Sequence, residues 1–363
     1  MNGKPYGFPR MVFRSLSSKT PPYLIFFVTS RCDARCVTCF NWRNLNTKDA
    51  DEELSLGEIE KIADSCRRSV FLSLSGGEPF LRRDIAGICA AFHKRAGTMM
   101  INIPTNGLRP GSIRDHTAAI LEDCPRITLQ VELSIDGIGD THDTIRGVPG
   151  NFGRVMETFG KLRSLQETQP RLRLKVCSVL NEWNRHQMPE LMAFVAENMP
   201  VDDHSVVPVH GDPRDEAVRG GSLNDFREIA ALADSMRHGN RAGLRALVFR
   251  EVQAMARESI LRTLEGDGGA FRCPGGTKLA VIGETGLVHR CETMMDAPLG
   301  NLREEGYDLG RILRRNRGKT SCSCGWSCAH LASVLFTHRG RARLALRVLG
   351  KKAKQDGASS GKP

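Results

Sequence analysis

Three cysteines early in the chain, Cys32, Cys36 and Cys39, have the spacing C-x3-C-x2-C and follow directly on an apolar run, Tyr23 to Val28. A short loop that leaves a strand can wrap three thiolates around one inorganic cluster. A structural zinc site normally has four protein ligands, and the next cysteine, Cys66, lies inside a helical pattern. The spacing therefore favours an iron-sulfur cluster with one open iron over half of a zinc site.

A second polar motif follows the next apolar run, because Val70 to Leu74 leads directly into Ser75-Gly76-Gly77-Glu78-Pro79. Glycine lacks a Cβ, so Gly76 and Gly77 can bring the backbone close to a ligand. The Glu78 carboxylate can accept hydrogen bonds from an amino group. Alone, this segment would be interpreted as a turn. On consecutive strands, the two motifs together resemble the radical S-adenosylmethionine (radical SAM) enzymes.

The resemblance implies two cofactors, a [4Fe-4S] cluster held by the three cysteines and SAM chelated to its open iron. It also implies the reaction. An electron from an external donor, such as flavodoxin or ferredoxin, cleaves SAM to a 5'-deoxyadenosyl radical, which abstracts a hydrogen atom from the substrate. By resemblance, the methionine end of SAM is held by Gly76, Gly77, Glu78 and Pro79. Phe40 is expected to pack beside the cluster or the adenine.

Five further residues are candidates for binding SAM. Ser134 and Asp136 alternate on one predicted strand and can face the same side of the sheet. Similar enzymes bind the ribose hydroxyls or the methionine portion there, and a strand-end cap is the alternative role. Arg146 resembles an arginine that meets the SAM carboxylate, while a solvated loop arginine fits the sequence equally well. Asn106 and Asn181 follow predicted strands and are weaker candidates.

Five more cysteines lie near the C-terminus: Cys273, Cys291, Cys322, Cys324 and Cys328. The first two flank a predicted β-hairpin of Lys278 to Ile282 and Leu287 to Cys291. The region resembles the SPASM/Twitch type of auxiliary iron-sulfur domain, in which a glycine precedes a ligand cysteine with the spacing of Gly286 and Cys291. The full SPASM pattern has seven cysteines, so five imply one auxiliary [4Fe-4S] cluster, with Cys322 or Cys324 as the spare. A structural zinc site is the alternative.

Strand and helix patterns alternate six times between residues 23 and 209. This alternation predicts an α/β fold with a parallel sheet covered by helices and right-handed crossovers. The resemblance implies a partial (β/α)6 TIM-type barrel, whose working residues lie at the carboxyl ends of the strands. After the Tyr23 and Val70 strands, the predicted strands are Met99 to Ile103, Ile127 to Ile135, Leu172 to Leu180 and Ser205 to Val209, and the predicted helices start near Ser55, Ile85, Ile113, Phe152 and Met188.

The sequence divides into five predicted segments. Residues 1–20 form an amphipathic leader, residues 21–210 the radical SAM core and residues 211–268 a helical connection. A small cysteine-rich auxiliary cluster domain with a β-hairpin follows over residues 269–333, and residues 334–363 form a basic tail.

Composition and charge narrow the class of protein. The 363 residues contain no apolar stretch of about 18 or more and no recognisable signal sequence, which predicts a cytoplasmic protein. Eight of the 12 cysteines fall into the two tight sets, so metal binding is favoured over disulfides. Eight basic residues and one acidic residue between positions 335 and 363 account for +7 of the net charge of +11. The rest of the chain is therefore only mildly basic, which argues against a nucleic-acid partner.

The tail allows two interpretations, a basic amphipathic helix on an anionic membrane surface or a solvated disordered segment. The rival to an enzyme is a non-catalytic iron-sulfur or zinc protein that acts as an electron carrier or a nucleic-acid binder. Neither the catalytic residues nor the substrate can be assigned from the sequence. A peptide, a small molecule and a lipid- or isoprenoid-linked substrate all remain open.

Overall fold

The computed structural model describes residues 8–16, 20–220, 223–236, 243–267, 273–316 and 324–359, and the strands of these segments form one nine-stranded sheet. The strands are β1 (Tyr23–Thr29), β2 (Phe71–Gly76), β3 (Met100–Thr105), β4 (Thr128–Ser134), β5 (Leu172–Leu180), β6 (Asp203–Pro208), β7 (Leu279–Ile282), β8 (Leu287–His289) and β9 (Gly300–Asn301). Their order across the sheet is β6-β5-β4-β3-β2-β1-β7-β8-β9.

Strands β1 to β6 pair with their sequence neighbours in parallel, which confirms the predicted α/β fold. Because parallel strands point the same way, the loops that follow them meet at one edge of the sheet. All seven residues of β1 are buried, and the side chains alternate between two apolar environments. Leu24, Phe26 and Val28 join the core beneath the outer helices, whereas Tyr23, Ile25 and Phe27 belong to a separate inner cluster.

Helices connect the strands on the outer side of the sheet. The predicted capping box starts α2, since the Ser55 hydroxyl accepts from the Glu58 N–H and the Glu58 carboxylate accepts from the Ser55 N–H. The short helix α5 was not expected from the sequence. The helices are α1 (Phe8–Leu16), α2 (Leu56–Ser65), α3 (Ile85–Ala91), α4 (Pro110–Asp123), α5 (Asp140–Arg146), α6 (Asn151–Thr168), α7 (Met188–Asn198), α8 (Leu223–Met236), α9 (Leu244–Leu264), α10 (Leu309–Arg315), α11 (Ser327–Phe336) and α12 (His338–Ser359).

The C-terminal hairpin forms as predicted and extends the same sheet. Strands β7 and β8 are antiparallel, and β7 lies parallel to β1, with Tyr23 opposite Leu279. Helix α11 covers the inner face of this junction, where Ala332 and Phe336 pack with Tyr23, Ile25 and Phe27. The sheet therefore joins the cysteine-rich region directly to the first strand of the barrel.

The basic tail is helical over its described part, so the interpretation as a disordered segment is wrong there. Leu344 and Val348 of α12 are buried in one cluster with Leu247 and Val252 of α9. Much of the apolar face of α12 is therefore used within the protein. In the part of the chain that the structure describes, no helix combines the length and the hydrophobicity needed to cross a bilayer.

Candidate active site

A cavity of about 1190 Å³ lies between the inner face of β2 to β6 and the helices α9, α11 and α12. The three cysteines of the first motif line it, as do Gly76, Gly77 and Glu78 of the second. The two motifs therefore reach the same space from consecutive strands.

Backbone contacts hold the cysteine loop against α5. The N–H groups of Arg35 and Val37 donate to the carbonyls of Arg146 and Ile145, at 3.1 and 2.9 Å. At the start of the loop, the Asn46 side chain accepts from the Cys32 N–H at 3.0 Å and donates to its carbonyl at 3.1 Å. The loop is thus fixed from both sides before any ligand binds.

A buried ion pair supports the strand end that precedes the loop, and it was not predicted from the sequence. The Glu53 carboxylate accepts from the Thr29 hydroxyl at 2.5 Å and from the Ser30 N–H at 3.1 Å. Arg82 lies 3.4 Å from Glu53 and also donates to the Val28 carbonyl at 2.9 Å. Glu53 stands before a helix in a charged segment, so only its tertiary position reveals this role.

The thiols of the loop are half-buried and free. Burial raises the pKa of Cys32 to about 12 and that of Cys39 to about 11, and it also raises the pKa of Cys36. None of the three forms a disulfide. A metal that these three residues held as thiolates would have to displace their protons.

A buried guanidinium beside the loop opposes the rise in the pKa of the thiols. Arg146 is 8% exposed, so the alternative of a solvated loop arginine is wrong. Its charge lowers the pKa of Cys36, although burial outweighs it. The Nε of Arg146 is buried without a hydrogen-bond partner, and Asp136 lies 3.2 Å from its Nη1. Three thiols next to an incompletely paired cation fit an anionic thiolate-bound cluster together with a carboxylate ligand.

The two glycines of the second motif bring β2 against the cysteine loop. The Gly77 N–H donates to the Thr29 carbonyl and the Glu78 N–H to the Arg31 carbonyl, both at 2.8 Å. A Cβ at Gly77 would collide with the Arg31 carbonyl, and Gly76 has a φ of +112°. Glycine is therefore required here for the close approach of two backbones. The N–H groups of Gly77 and Glu78 are already used within the protein.

Glu78 joins the motif to the end of β3. Its carboxylate accepts from the Phe80 N–H at 3.1 Å, the Thr105 hydroxyl at 3.0 Å and the Asn106 N–H at 2.7 Å. Burial raises the pKa of Glu78 to about 7 despite these donors. Pro79 begins a short 3-10 helix, Pro79–Leu81, and does not line the cavity.

The remaining SAM-binding candidates separate into two groups. Ser134, Asn106, Arg146 and Phe40 line the cavity, whereas Asp136 and Asn181 do not. Asp136 is fully buried, and its Oδ1 accepts from the Val179 N–H at 2.7 Å. Asn181 accepts from the Trp183 N–H at 2.9 Å and donates to the Val179 carbonyl at 2.9 Å. These two side chains stabilise the loop after β5.

Charged residues inside the barrel were missed from the sequence. Lys175 of β5 lies 2.7 Å from Glu132 of β4, and the two side chains are 14% and 15% exposed. Both line the cavity together with Cys177, whose thiol pKa burial raises. The alternation along the two strands places these residues on the inner face, so the period-two pattern could have found them.

Aromatic residues connect the first motif with the cysteine-rich region. The Phe40 ring lies 4.9 Å from that of Trp326, and the His210 ring lies 3.8 Å from Trp326. Burial lowers the pKa of His210 to about 4. Phe40 thus follows the third cysteine and packs on the residue between Cys324 and Cys328.

Three of the C-terminal cysteines gather around Trp326. Cys291, Cys324 and Cys328 belong to one apolar cluster with it, and Cys328 also lines the cavity. Gly275 lies close to both the Cys273 sulfur and the Arg290 carbonyl, since a Cβ added to this glycine would be 3.5 Å from the sulfur and 3.2 Å from the carbonyl oxygen. Cys273 is therefore near the residue that precedes Cys291.

The fifth candidate, Cys322, lies outside the described residues. Among the residues that the structure describes, no three His, Cys, Asp or Glu side chains are grouped as the ligands of a single metal ion.

Comparison with known proteins finds similarity over strands β1 to β5 of the sheet. Residues 26–195 match the Radical SAM superfamily. The chain is 34% identical over 179 residues to the pre-heme d1 synthase of Dinoroseobacter shibae. The alignment covers 47% of this chain and 39% of that protein. It is 26% identical over 307 residues to the AdoMet-dependent heme synthase of Methanosarcina barkeri, covering 80% of this chain and 82% of that protein.

Solved structures share the fold at low sequence identity. Streptococcus suis SuiB bound to S-adenosylmethionine superposes with a TM-score of 0.57 at 18% identity, over 81% of this chain and 65% of that chain. Native anSMEcpe with bound AdoMet gives a TM-score of 0.57 at 16% identity, over 80% of this chain and 79% of that chain. These matches show the fold, a partial TIM-type barrel with a parallel sheet. Residues 26–195 are therefore similar to the Radical SAM superfamily, and the curated relatives that match the chain are named as synthases and cyclases, which are enzymes.

Proposed function

We propose that this protein is a radical SAM enzyme that cleaves SAM reductively and abstracts a hydrogen atom from a substrate held in the cavity. The observation that carries the proposal is that Cys32, Cys36 and Cys39 share the cavity with the Gly76–Glu78 segment and the buried Arg146. When bound, the [4Fe-4S] cluster would supply an electron and SAM the radical. The protein's own residues bind, orient and enclose these groups.

The residues around the cysteines suggest separate tasks. Cys32, Cys36 and Cys39 would hold the cluster on a loop already fixed by Asn46. The partly unpaired Arg146 would meet the SAM carboxylate. Glu78 is committed to three donors of its own chain, so we assign it to positioning the end of β3 rather than to binding the SAM amino group directly.

The remaining candidates in the cavity are assigned more generally. Ser134, Asn106 and Phe40 are proposed to line the SAM site, because all three face the same space as the cysteine loop. Gly76 and Gly77 would allow SAM to approach the backbone that they already bring together.

For the cysteine-rich region we propose one auxiliary [4Fe-4S] cluster. Cys291, Cys324 and Cys328 surround Trp326, and Cys273 lies beside the hairpin, which supports these four as ligands. In this assignment Cys322 is the spare. A structural zinc site with the same ligands is the alternative, and metal analysis separates the two.

The relatives do not agree on a substrate. Their names include heme synthases and GTP 3',8-cyclases, and one structural neighbour is bound to a precursor peptide. We therefore propose hydrogen abstraction without taking the substrate from any of them. An external donor such as flavodoxin or ferredoxin is the proposed reductant. Membrane contact through α12 has little support. Among the large apolar side chains described in this helix, Leu344 and Val348 are buried and only Leu346 and Leu349 are exposed.

The test is SAM cleavage by the reduced protein under anaerobic conditions. The wild type should convert SAM to 5'-deoxyadenosine, and the triple variant with Cys32, Cys36 and Cys39 changed to Ala should not. Cys66→Ala is the control, because this buried cysteine lies outside the cavity. Cleavage by the triple variant at the wild-type rate would overturn the proposed function.

A further inference from the structure

The cavity has two chemically different walls. The inner face of the sheet presents polar and charged side chains, among them Asn102, Gln130 and the Glu132–Lys175 ion pair. The opposite wall is apolar and is formed by α9, α11 and α12, through residues such as Val248, Leu331 and Leu344. A molecule that fills the space between these walls must satisfy both.

The volume leaves room for a second molecule besides SAM. At about 1190 Å³, the cavity is larger than the space of about 300 to 1,000 Å³ that a single drug-sized ligand usually occupies. The cysteine loop and Arg146 mark one part of it. The rest of the lining includes Arg173 and Lys175 near the amino end of β5 and the apolar side chains of the helices.

The charge of the lining favours an anion. Among the described residues, the cavity is lined by five cations, Arg146, Arg173, Lys175, Arg257 and Arg341, and by four carboxyl groups. One of these carboxyls, Glu78, already accepts three hydrogen bonds from its own chain. Arg173 is the more accessible cation of β5, since its side chain is 40% exposed, and its ion pair with Asp202, at 3.8 Å, is longer than the 2.7 Å pair of Lys175 with Glu132. The lining therefore has one more cation than carboxyl groups, and the weakly paired Arg173 is the point on β5 where an anionic group can bind.

The apolar wall continues to the surface. Leu244, Phe249 and Leu349 line the cavity and are nevertheless 57%, 44% and 64% exposed. Large apolar side chains that remain exposed beside a cavity indicate a surface that an apolar ligand covers. They lie on α9 and α12, the same helices that form the apolar wall.

We propose that the substrate of this site is an anionic amphiphile, with a carboxylate or phosphate near Arg173 and Lys175 and an apolar body along α9 and α12. That this molecule is a substrate rests on the proposed function, whereas its binding to the cavity does not. Binding and SAM cleavage are therefore measured separately.

The test is isothermal titration calorimetry of the full-length protein, reconstituted with iron and sulfide, against dodecyl phosphate and dodecanoate below their micelle concentrations. Saturable binding with one molecule per chain is expected for at least one of them, and the stronger of the two identifies the anion. Inorganic phosphate and dodecanol each lack one half of the amphiphile and should bind at least about tenfold more weakly.

Two matched pairs of variants locate the ligand. Leu349→Glu and Leu346→Glu change exposed leucines of the same helix, but only Leu349 lines the cavity. Arg173→Gln is paired with Arg154→Gln, an exposed arginine outside the cavity. Leu349→Glu and Arg173→Gln should each weaken binding about tenfold or more, and their partners should leave it unchanged.

The outcomes separate this inference from the proposed function. Absence of saturable binding to the wild type, or equal effects within each pair of variants, overturns the amphiphile proposal even if SAM is cleaved. Binding that follows the expected pattern in a protein that cannot cleave SAM overturns the proposed function and leaves an amphiphile-binding protein.

Discussion

Arg82 and Glu53 form an ion pair of 3.4 Å at the end of β1, with side chains only 8% and 2% exposed. The pair lies directly before the cysteine loop, because Glu53 accepts hydrogen bonds from both Thr29 and Ser30. A buried charge that loses its partner is costly, so the shape of the loop depends on Glu53 although that residue does not line the cavity.

Glu53→Ala should lower the free energy of unfolding by about 3 kcal/mol, because it leaves Arg82 buried with an incomplete set of partners. The free energy of unfolding of the variant and of the wild type is measured by urea denaturation, monitored by circular dichroism. The control is Glu60→Ala, which breaks an exposed pair with Arg95 and should cost no more than about 1 kcal/mol. Equal losses for the two variants would contradict a structural role for the buried pair.

Gly77→Ala should prevent the cysteine loop from packing on β2, since the added Cβ would meet the Arg31 carbonyl. We expect this variant to bind less iron at the first site and to unfold more easily than the wild type. Gly160→Ala is a suitable control because its Cβ would meet nothing within 4 Å on helix α6. It should be neutral or stabilising by up to about 1 kcal/mol. Full iron content in Gly77→Ala would show that the loop tolerates the shift.

Iron content distinguishes the two interpretations of the C-terminal cysteines. The reconstituted wild type should hold about eight iron atoms per chain, and about four should remain when Cys32, Cys36 and Cys39 are changed to Ala. Changing Cys291 and Cys328 to Ala should remove the other four. If the wild type instead holds about four iron atoms and one zinc, the second site is a structural zinc site.

His142 should make stability depend on pH. Burial, together with the charge of Arg146, lowers its pKa from 6.5 to about 4 in the folded protein. The unfolded chain therefore binds more protons between these values, and stability that is present above pH 6.5 is lost as the pH falls towards 4. The loss should amount to about 3 kcal/mol.

The variant His142→Gln should show a smaller fall in the free energy of unfolding between pH 7 and 4.5 than the wild type. His186→Gln, at an exposed position, should keep the wild-type pH dependence. A wild-type slope in His142→Gln would mean that other groups dominate this pH range.

Local patterns predicted the elements of the barrel well. The capping box at Ser55, the strand Leu172–Leu180 and the β-hairpin are found where expected, because each is determined by neighbours in the sequence. The Glu53–Arg82 pair and the burial of Arg146 could not be predicted in the same way. The ion pair joins residues that are 29 positions apart in the sequence. Arg146 is buried at the end of a short helix that has no strong apolar pattern.

The second motif shows a different limit of sequence reasoning. Its glycines suggested that backbone groups face a ligand, whereas the N–H groups of Gly77 and Glu78 bind the carbonyls of Thr29 and Arg31. A glycine in the sequence indicates that something approaches the backbone closely, but it does not reveal whether that group is a cofactor or another strand.

The pairing of Tyr23 with Leu279 has a consequence for biosynthesis, since the two residues are 256 positions apart. During translation, β1 can pair with β2 early, but its other edge stays open until β7 has left the ribosome. An unpaired apolar edge strand is prone to aggregate. A chain that stops before β7 should therefore accumulate in inclusion bodies, and chaperones are expected to bind the nascent protein until its last quarter is made.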